Sequence, residues 1–241
     1  MIVLMTDFGL SEYVGVMKGV IYRIHADATI VDLCHDISPQ SVIEASWILK
    51  SNCTYFPKDA IFCCVVDPGV GTERKALAVK TVDYTFVAPD NGLLWETLKE
   101  QEIVDIRMIP IPEDASHTFH GRDVFAEAAT NIDLGRFDTL GPTTNKLEKL
   151  ALYRHQRVGT VVRIDRFGNI ITNLPSEGKT TYSVEVCGRH SRMDFYPNYD
   201  GVADNELFLI EGSCKTLEIS LKNGNANERL RLKTGSRIEV A

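Results

Sequence analysis

The sequence lacks any apolar run long enough to cross a bilayer, which would require about 20 consecutive residues. Its first apolar run, residues 1–5, has the length of a buried strand, and no basic leader precedes it. We therefore expect a cytoplasmic protein that has no membrane partner.

Concentrated positive charge is also missing. Lys and Arg total 26 against 33 Asp and Glu, which gives a net charge of -7, and no block of basic residues occurs. A nucleic-acid partner would require a basic surface, so this class of function is disfavoured. The acidic balance is compatible with a cationic small substrate, although many soluble proteins carry such a charge without one.

The usual signatures of metal and cofactor sites are absent as well. None of the six cysteines forms a C-x-x-C pair, and Cys63 and Cys64 lie inside the apolar run 60–66, as buried free thiols do. No G-x-G-x-x-G and no phosphate-binding P-loop follows the first strand. We expect no structural zinc, no disulfide framework and no cofactor with a pyrophosphate.

The first 145 residues alternate β-type runs with helical patterns. This alternation predicts a mainly parallel, three-layer α/β domain with helices on both faces of the sheet. Strands are predicted at 1–6, 29–34, 60–66, 77–80, 84–87 and 102–108, and helices at 13–25, 39–52, 91–99 and 122–131.

The pattern changes after residue 145. A charged stretch at 146–156 is predicted to be a connector, and residues 157–241 carry short β-type runs without a convincing helix. We predict a small β-barrel-like domain there. Its strands are expected at 158–164, 182–186, 207–210, 216–221 and 237–240.

Polar residues follow the predicted strands of the first domain. Asp7, His35, Asp67 and Asn91 come just after four of them. Ligands of open α/β sheets bind at the carboxyl ends of the strands, so these residues are candidates for one site. Asp7 has two acceptor oxygens and would suit the two hydroxyls of a ribose. Each residue also has a plain alternative as a helix cap or turn residue.

The segment 67–74 and His120 add a second candidate group. One proline and two glycines let this segment turn tightly, so Arg74 is predicted to fold back onto the Asp67 carboxylate. A purely structural ion pair remains an open alternative. His120 precedes a predicted helix, whose positive end would favour a neutral imidazole.

Six ordered anchors make the sequence similar to a known family. It resembles the SAM hydroxide adenosyltransferases, which are related to fluorinating and chlorinating enzymes that act on the same substrate. The resemblance covers nearly the whole chain. The anchors are Thr6-Asp7-Phe8-Gly9, Tyr13-Val14-Gly15 with Lys18-Gly19, Asp67-Pro68-Gly69-Val70-Gly71 with Arg74, Ala88-Pro89-Asp90-Asn91-Gly92, Phe119-His120-Gly121-Arg122-Asp123, and Asp165 with Phe167-Gly168-Asn169 and Thr172-Asn173.

The resemblance implies roles for individual residues. Asp67, Arg74 and His120 match the group that organises the attacking water, which makes them the catalytic candidates. The sequence departs from the family at Cys214, where halogenating relatives have Arg. The matched substrate-binding positions are Asp7 with its neighbour Phe8 at the ribose, Asn91 near the substrate, Asp165 at the methionine end, Asn169 and Ser213 in the second domain, and Tyr199 at the adenine.

These matches predict an S-adenosyl-L-methionine hydrolase that forms adenosine and methionine without a metal or cofactor. The resemblance also implies a homotrimer with sites at the subunit interfaces. Three alternatives stay open: a SAM-dependent halogenase, a metal-dependent hydrolase of a nucleoside-type substrate, and a nucleoside-binding module without activity.

Overall fold

The computed structural model describes residues 1–241 and divides into two compact units, Met1–Ala151 and Leu152–Ala241. The division falls inside the stretch 146–156 that the sequence indicates as a connector. No helix has both the length and the apolar character needed to span a membrane.

The first unit is built on a six-stranded sheet with the strand order β2-β1-β3-β5-β4-β6. Gly121–Phe125 forms a π-helical turn that leads into α4. The strands are β1 (Ile2–Thr6), β2 (Ile30–Cys34), β3 (Ile61–Val65), β4 (Ala76–Thr81), β5 (Thr85–Pro89) and β6 (Ile103–Ile109); the helices are α1 (Glu12–Ile24), α2 (Val42–Asn52), α3 (Trp95–Leu98) and α4 (Ala126–Asp133).

This sheet is mixed, and only part of it is parallel. β1 runs parallel to β2 and β3, and β3 runs parallel to β5. β4 runs antiparallel to both β5 and β6. Three residues connect β4 to β5, which is enough for a hairpin but far too short for the crossover that a parallel pair requires.

Apolar residues pack on both faces of the sheet. Successive side chains of a strand point to opposite faces, so Ile2 and Leu4 join a cluster with residues of α1 and α4. Val3 and Met5 join a second cluster with residues of α2 and α3. Burial on both faces explains why β1 is continuously apolar and does not alternate.

Three helices differ from the prediction at their ends. α2 begins at Val42, where the Ser41 side chain accepts a hydrogen bond from the Glu44 N–H, and Pro39 lies before it. The stretch 91–99 is helical only at Trp95–Leu98, because Asn91 forms a turn with Leu93. The helix predicted at 122–131 begins with the π-helical turn at Gly121 and ends at Asp133.

The second unit contains a seven-stranded antiparallel sheet in the order β10-β9-β13-β7-β8-β12-β11. A bridge between Phe195, next to β10, and Leu209 of β11 brings the two end strands together, so the sheet is nearly a closed barrel. Its elements are β7 (Val158–Ile164), β8 (Ile170–Thr172), β9 (Thr181–Val186), β10 (Arg189–Asp194), β11 (Leu207–Glu211), β12 (Leu217–Leu221), β13 (Arg237–Val240) and the helix α5 (Ala226–Leu230).

Three elements of this unit were not predicted. β8 has three residues, and β10 is largely polar and exposed, so neither shows a clear apolar pattern. The expectation of no helix was wrong, since α5 forms one short turn. Asn225 caps that helix by accepting the Glu228 N–H at 2.9 Å.

Candidate active site

A cavity of about 320 Å³ opens in the first unit, at the carboxyl ends of β1 and β3. Two acidic residues, one histidine and three aromatic residues contribute to its lining. They are Asp7, Phe8, Tyr13, Asp67, Phe119 and His120.

Asp67 and Arg74 form a nearly buried ion pair at this cavity. Their side chains are 6% and 9% exposed. Nε of Arg74 donates to both carboxylate oxygens of Asp67, at 2.9 and 3.0 Å, and Nη2 also donates to Oδ2. The intervening turn is closed by the Val70 N–H, which donates to the Asp67 carbonyl, and by Thr72, which bonds the Gly69 carbonyl. Arg74 thus folds back onto Asp67 within eight residues.

His120 joins this pair through Arg74. Nη2 of Arg74 lies 2.7 Å from Nδ1 of His120. A guanidinium has donors only, so Nδ1 must accept, and the neutral ring carries its proton on Nε2. Burial and then the positive charge of Arg74 lower the pKa of His120. The lowered pKa of His120 thus comes from burial and Arg74, and not from the positive helix end that the sequence suggested. Nη1 of Arg74 is buried and lacks a hydrogen-bond partner, and Arg74 itself is not among the residues that line the cavity.

Gly71 allows the segment 67–74 to approach the segment that carries His120. Its φ is +76°, and a Cβ at this position would lie 2.3 Å from the His117 carbonyl oxygen. We expect Gly71→Ala to cost about 2–4 kcal/mol of unfolding free energy, because it adds a backbone clash to the conformational strain. Gly135→Ala is the matched control in urea unfolding, since Gly135 has a φ of +75° but no atom within 4 Å of the place that an added Cβ would occupy. Equal losses for both variants would contradict the proposed clash.

Asp7 faces the same cavity from the end of β1. Its Oδ2 accepts the Gln40 N–H at 2.7 Å. Burial raises the pKa of Asp7, the Gln40 N–H partly offsets this effect, and the negative charge of Asp67 adds to the increase. Asp7 and Asp67 line the same cavity, so one bound molecule can contact both.

Three aromatic rings stand beside Asp7. Phe8, Tyr13 and Phe119 contact one another edge to face, with centroid distances of 5.5, 5.9 and 4.9 Å. A Cβ added to Gly121 would come within 3.4 Å of Phe119, Met17 and Phe8. The absence of a side chain at Gly121 thus lets these rings pack closely at the cavity wall.

Asn91 contacts the main chain in this structure, and its predicted contact near the substrate remains a prediction. It is not among the residues that line the cavity. Its Nδ2 donates to the Val66 carbonyl at 2.9 Å, and its Oδ1 accepts the Leu93 N–H. Asn91 therefore anchors the end of β3 directly before Asp67.

Three of the four candidates in the second unit are linked. Asp165 accepts hydrogen bonds from the Phe167 and Asn169 N–H groups and from the Asn169 side chain, all at 2.9 Å. Tyr199 lies 3.5 Å from Asn169 Oδ1 and 3.2 Å from Ser220 Oγ. Ser213 is exposed and lies apart from these bonds, with Cys214 as its side-chain neighbour. The turn at Asp165 presents Phe167, which is 76% exposed.

Glu218 is a further acidic residue near this group that the sequence analysis did not identify. Burial, with the nearby Asp165 charge, raises its pKa to about 7. The alternation Leu217-Glu218-Ile219-Ser220-Leu221 contained the signal, because it places Glu218 on the same face as Ser220.

Glu218 should make stability depend on pH. A folded pKa near 7, above the ordinary value of 4.5, means that the folded state holds this proton longer, so stability falls as pH rises from about 4.5 to 7. We expect Glu218→Gln to raise the unfolding free energy at pH 8 by roughly 1 kcal/mol, a value reduced for solvent screening, and to change it little at pH 4.5. Urea unfolding at both pH values tests this, with the exposed Glu228→Gln as control. An equal effect of Glu218→Gln at both pH values would contradict it.

No group of three or more His, Cys, Asp or Glu side chains is arranged so that it could hold a metal ion. Independence of a metal remains a prediction about the activity, which the arrangement of side chains does not test.

Comparison with known proteins identifies the family. Residues 2–141 match the model of the SAM hydroxide adenosyltransferase N-terminal domain, and residues 159–239 match that of the C-terminal domain. The chain belongs to the SAM hydroxide adenosyltransferase family. The resemblance inferred from the six anchors is thereby confirmed.

Relatives named as hydrolases match over nearly their full length, and a fluorinase matches over a shorter part. An (R)-S-adenosyl-L-methionine hydrolase of Methanocaldococcus jannaschii is 34% identical, with 99% of this chain and 95% of the relative covered. One of the same name from Thermus thermophilus is 35% identical, with 98% and 97% covered. A fluorinase of Nocardia brasiliensis is 26% identical over 72% of this chain and 70% of its own. An uncharacterized conserved protein of Thermotoga maritima has a solved structure with a TM-score of 0.91 and 36% identity, and both chains are fully covered.

Proposed function

We propose that the protein hydrolyses S-adenosyl-L-methionine to adenosine and L-methionine by in-line attack of water or hydroxide on the ribose 5′ carbon. One observation carries the proposal: Arg74 joins Asp67 and His120 into a connected polar group, and Asp67 and His120 line the same cavity as Asp7. The names of the full-length relatives support the same substrate and reaction.

The substrate itself provides the leaving group. A sulfonium departs as a neutral thioether, so the enzyme does not need an acid to expel it. The task that remains is to align the nucleophile with the C5′–S bond and to exclude bulk water, and such alignment contributes about 7–11 kcal/mol in favourable cases. The oxygen of water forms the new bond to C5′, the C5′–S electron pair leaves with methionine, and one proton is released.

The catalytic group has donors and acceptors suited to a water molecule. Asp67 accepts a hydrogen bond from the nucleophile, and Arg74 holds that carboxylate in place through three hydrogen bonds. The unpartnered Nη1 of Arg74 and the Nε2 proton of His120 are donors that favour hydroxide over water.

The remaining candidates bind the rest of the substrate in this proposal. Asp7 takes the ribose hydroxyls beside Phe8, and Asn91 acts indirectly by anchoring the residue before Asp67. The first unit serves as a three-layer nucleoside-binding domain. Asp165, Asn169, Ser213 and Tyr199 contact the methionine and adenine ends.

The assembly and location of the enzyme are further parts of the proposal. The resemblance implies a homotrimer with sites at the subunit interfaces, and the cytoplasmic location is proposed from the amino-acid sequence. Light scattering coupled to size-exclusion chromatography measures the mass of the assembly, and a monomer that retains full activity would contradict the trimeric site.

Three other activities compete with hydrolysis. A halide would meet the negative charge of Asp67 at the nucleophile position, which disfavours halogenation by simple Coulomb repulsion. A metal at the same place would meet the guanidinium of Arg74. A module that only binds nucleosides would not need Asp67, Arg74 and His120 to be connected to one another.

A single incubation separates these alternatives. Purified protein is mixed with S-adenosyl-L-methionine in ¹⁸O-labelled water, with and without chloride and a chelator, and the products are separated by chromatography and mass. We expect adenosine labelled at the 5′ oxygen, and methionine, under every condition. A 5′-chloro nucleoside would establish halogenation, loss of activity with chelator and recovery with added metal would establish a metallohydrolase, and bound adenosine without turnover would establish a binding module.

A further inference from the structure

A chain of polar side chains lies behind the turn that carries Asp7. Thr6 is fully buried, and its Oγ1 lies 2.9 Å from Nδ1 of His35. Nε2 of His35 lies 3.2 Å from Oδ1 of Asp32 but has no hydrogen-bond partner, so this contact is electrostatic. Oδ2 of Asp32 accepts a 2.6 Å hydrogen bond from Nζ of Lys18. This series of side chains thus runs from the exposed Lys18–Asp32 pair to Thr6, the buried residue directly before Asp7.

The charge of Asp32 favours one direction for the hydrogen bond between Thr6 and a neutral His35. The negative charge of Asp32, whose Oδ1 lies 3.2 Å from Nε2 of His35, favours the neutral tautomer with its proton on Nε2, although this contact lacks hydrogen-bond geometry. Nδ1 must then accept from the Thr6 hydroxyl. The same Thr6 oxygen accepts the Phe8 N–H at 3.2 Å, so the series of side-chain contacts continues into the turn.

His35 holds the turn a second time through its main chain. The Gly9 N–H donates to the His35 carbonyl at 2.8 Å. Asp7 lies between Thr6 and Phe8, and Phe8 is one of the aromatic residues of the cavity wall. Both neighbours of Asp7 are therefore tied to His35, directly or through one hydroxyl, whereas His35 itself is not among the residues that line the cavity.

We propose that His35 is a positioning residue for the nucleoside part of the substrate, acting through the Thr6 hydroxyl to hold Asp7 and Phe8 in the geometry that binds the ribose. This inference rests on the proposed function, since it takes Asp7 as the ribose ligand. His35 does not touch the substrate and takes no part in the transfer.

The amide variants of His35 give the sharpest test. Asn places an amide oxygen near the position of Nδ1, where it can accept from Thr6, whereas Gln places its amide near Nε2 and leaves the Thr6 hydroxyl without an acceptor. We expect His35→Gln and His35→Ala to raise KM for S-adenosyl-L-methionine, and Kd for adenosine, by about 5- to 50-fold, as for loss of one buried hydrogen-bond partner. His35→Asn should stay within about threefold of the wild type, and kcat should change less than KM in all three.

A second set of variants tests the route through Thr6. Thr6→Val removes the hydroxyl at nearly constant volume and should reproduce the KM increase, while Thr6→Ser should not. Residues that act through one contact are not additive, so the double variant Thr6→Val/His35→Gln should be no weaker in binding than the worse single variant. His25→Ala is the matched control, because His25 also pairs with an aspartate, Asp133, but lies away from the cavity.

The outcomes separate this inference from the proposed function. Equal KM values for wild type, His35→Gln and Thr6→Val would overturn it, as would additive effects in the double variant or a KM increase of the same size in His25→Ala. An unfolded His35→Ala would leave the comparison of Asn with Gln and of Ser with Val to decide. Wild-type protein that neither binds adenosine nor consumes S-adenosyl-L-methionine would instead overturn the proposed function.

Discussion

Asp67→Ala is expected to lower kcat for hydrolysis of S-adenosyl-L-methionine by about 100- to 1000-fold, with a much smaller change in KM. The size follows from the loss of one pre-organised group that acts on the nucleophile in a water-poor site. The Asp67 carboxylate is held by both Nε and Nη2 of Arg74, which fixes the position of this acceptor. Adenosine release measured under saturating substrate reports kcat directly.

The same substitution should also reduce stability, because it leaves Arg74 almost buried without its partner. We expect a loss of about 3–5 kcal/mol of unfolding free energy, so assays must be made where the variant is folded. Asp67→Asn keeps the shape while removing the charge. Asp105→Ala is the matched control, since Asp105 pairs with Arg107 Nε at 2.9 Å away from the cavity. Full kcat in folded Asp67→Asn and Asp67→Ala would remove Asp67 from the mechanism.

The order of elements in the first unit could be predicted from local patterns, but its sheet topology could not. Continuous burial of Ile2–Thr6 and Ile61–Val65 produces apolar runs that are easily recognised. β4 is antiparallel to β5 because the short connection after Thr81 forms a hairpin. The apolar pattern of a strand is the same in either direction, so it did not predict this. β10, with polar residues at most positions, is formed by pairing with β9 and has no apolar signal of its own.

The candidate site was predictable to different degrees. Asp7, Asp67 and Arg74 stand next to strand ends or tight turns, whose positions follow from sequence. The hydrogen bond between Arg74 and His120 joins residues 46 positions apart, so it depends on the tertiary fold and could not be predicted from local sequence. For Asn91 and His35, the position at a strand end was evident from the sequence but the partner was not. A polar residue there can bond the backbone, as Asn91 does, or another side chain, as His35 does.

Asp7→Asn is expected to separate binding from chemistry by raising KM for S-adenosyl-L-methionine about 10- to 100-fold while kcat changes less. A carboxylate that accepts from ribose hydroxyls makes charge-assisted bonds in the ground state and in the transition state alike, and loss of such uniform binding appears in KM. Calorimetric titration with adenosine should show a parallel rise in Kd. Asp36→Asn is the matched control, since Asp36 is exposed and does not line the cavity.

The pH dependence of KM gives the same assignment without a substitution. Burial and the charge of Asp67 raise the pKa of Asp7, so on acidification Asp7 loses its charge earlier than an ordinary aspartate does. As the pH is lowered, KM of the wild type should therefore begin to rise at pH values above the usual titration range of aspartate. This rise should be absent in Asp7→Asn. If Asp7→Asn instead lowered kcat as strongly as Asp67→Ala and left KM unchanged, Asp7 would belong with the group that acts on the nucleophile. The ribose would then have to be held by other residues.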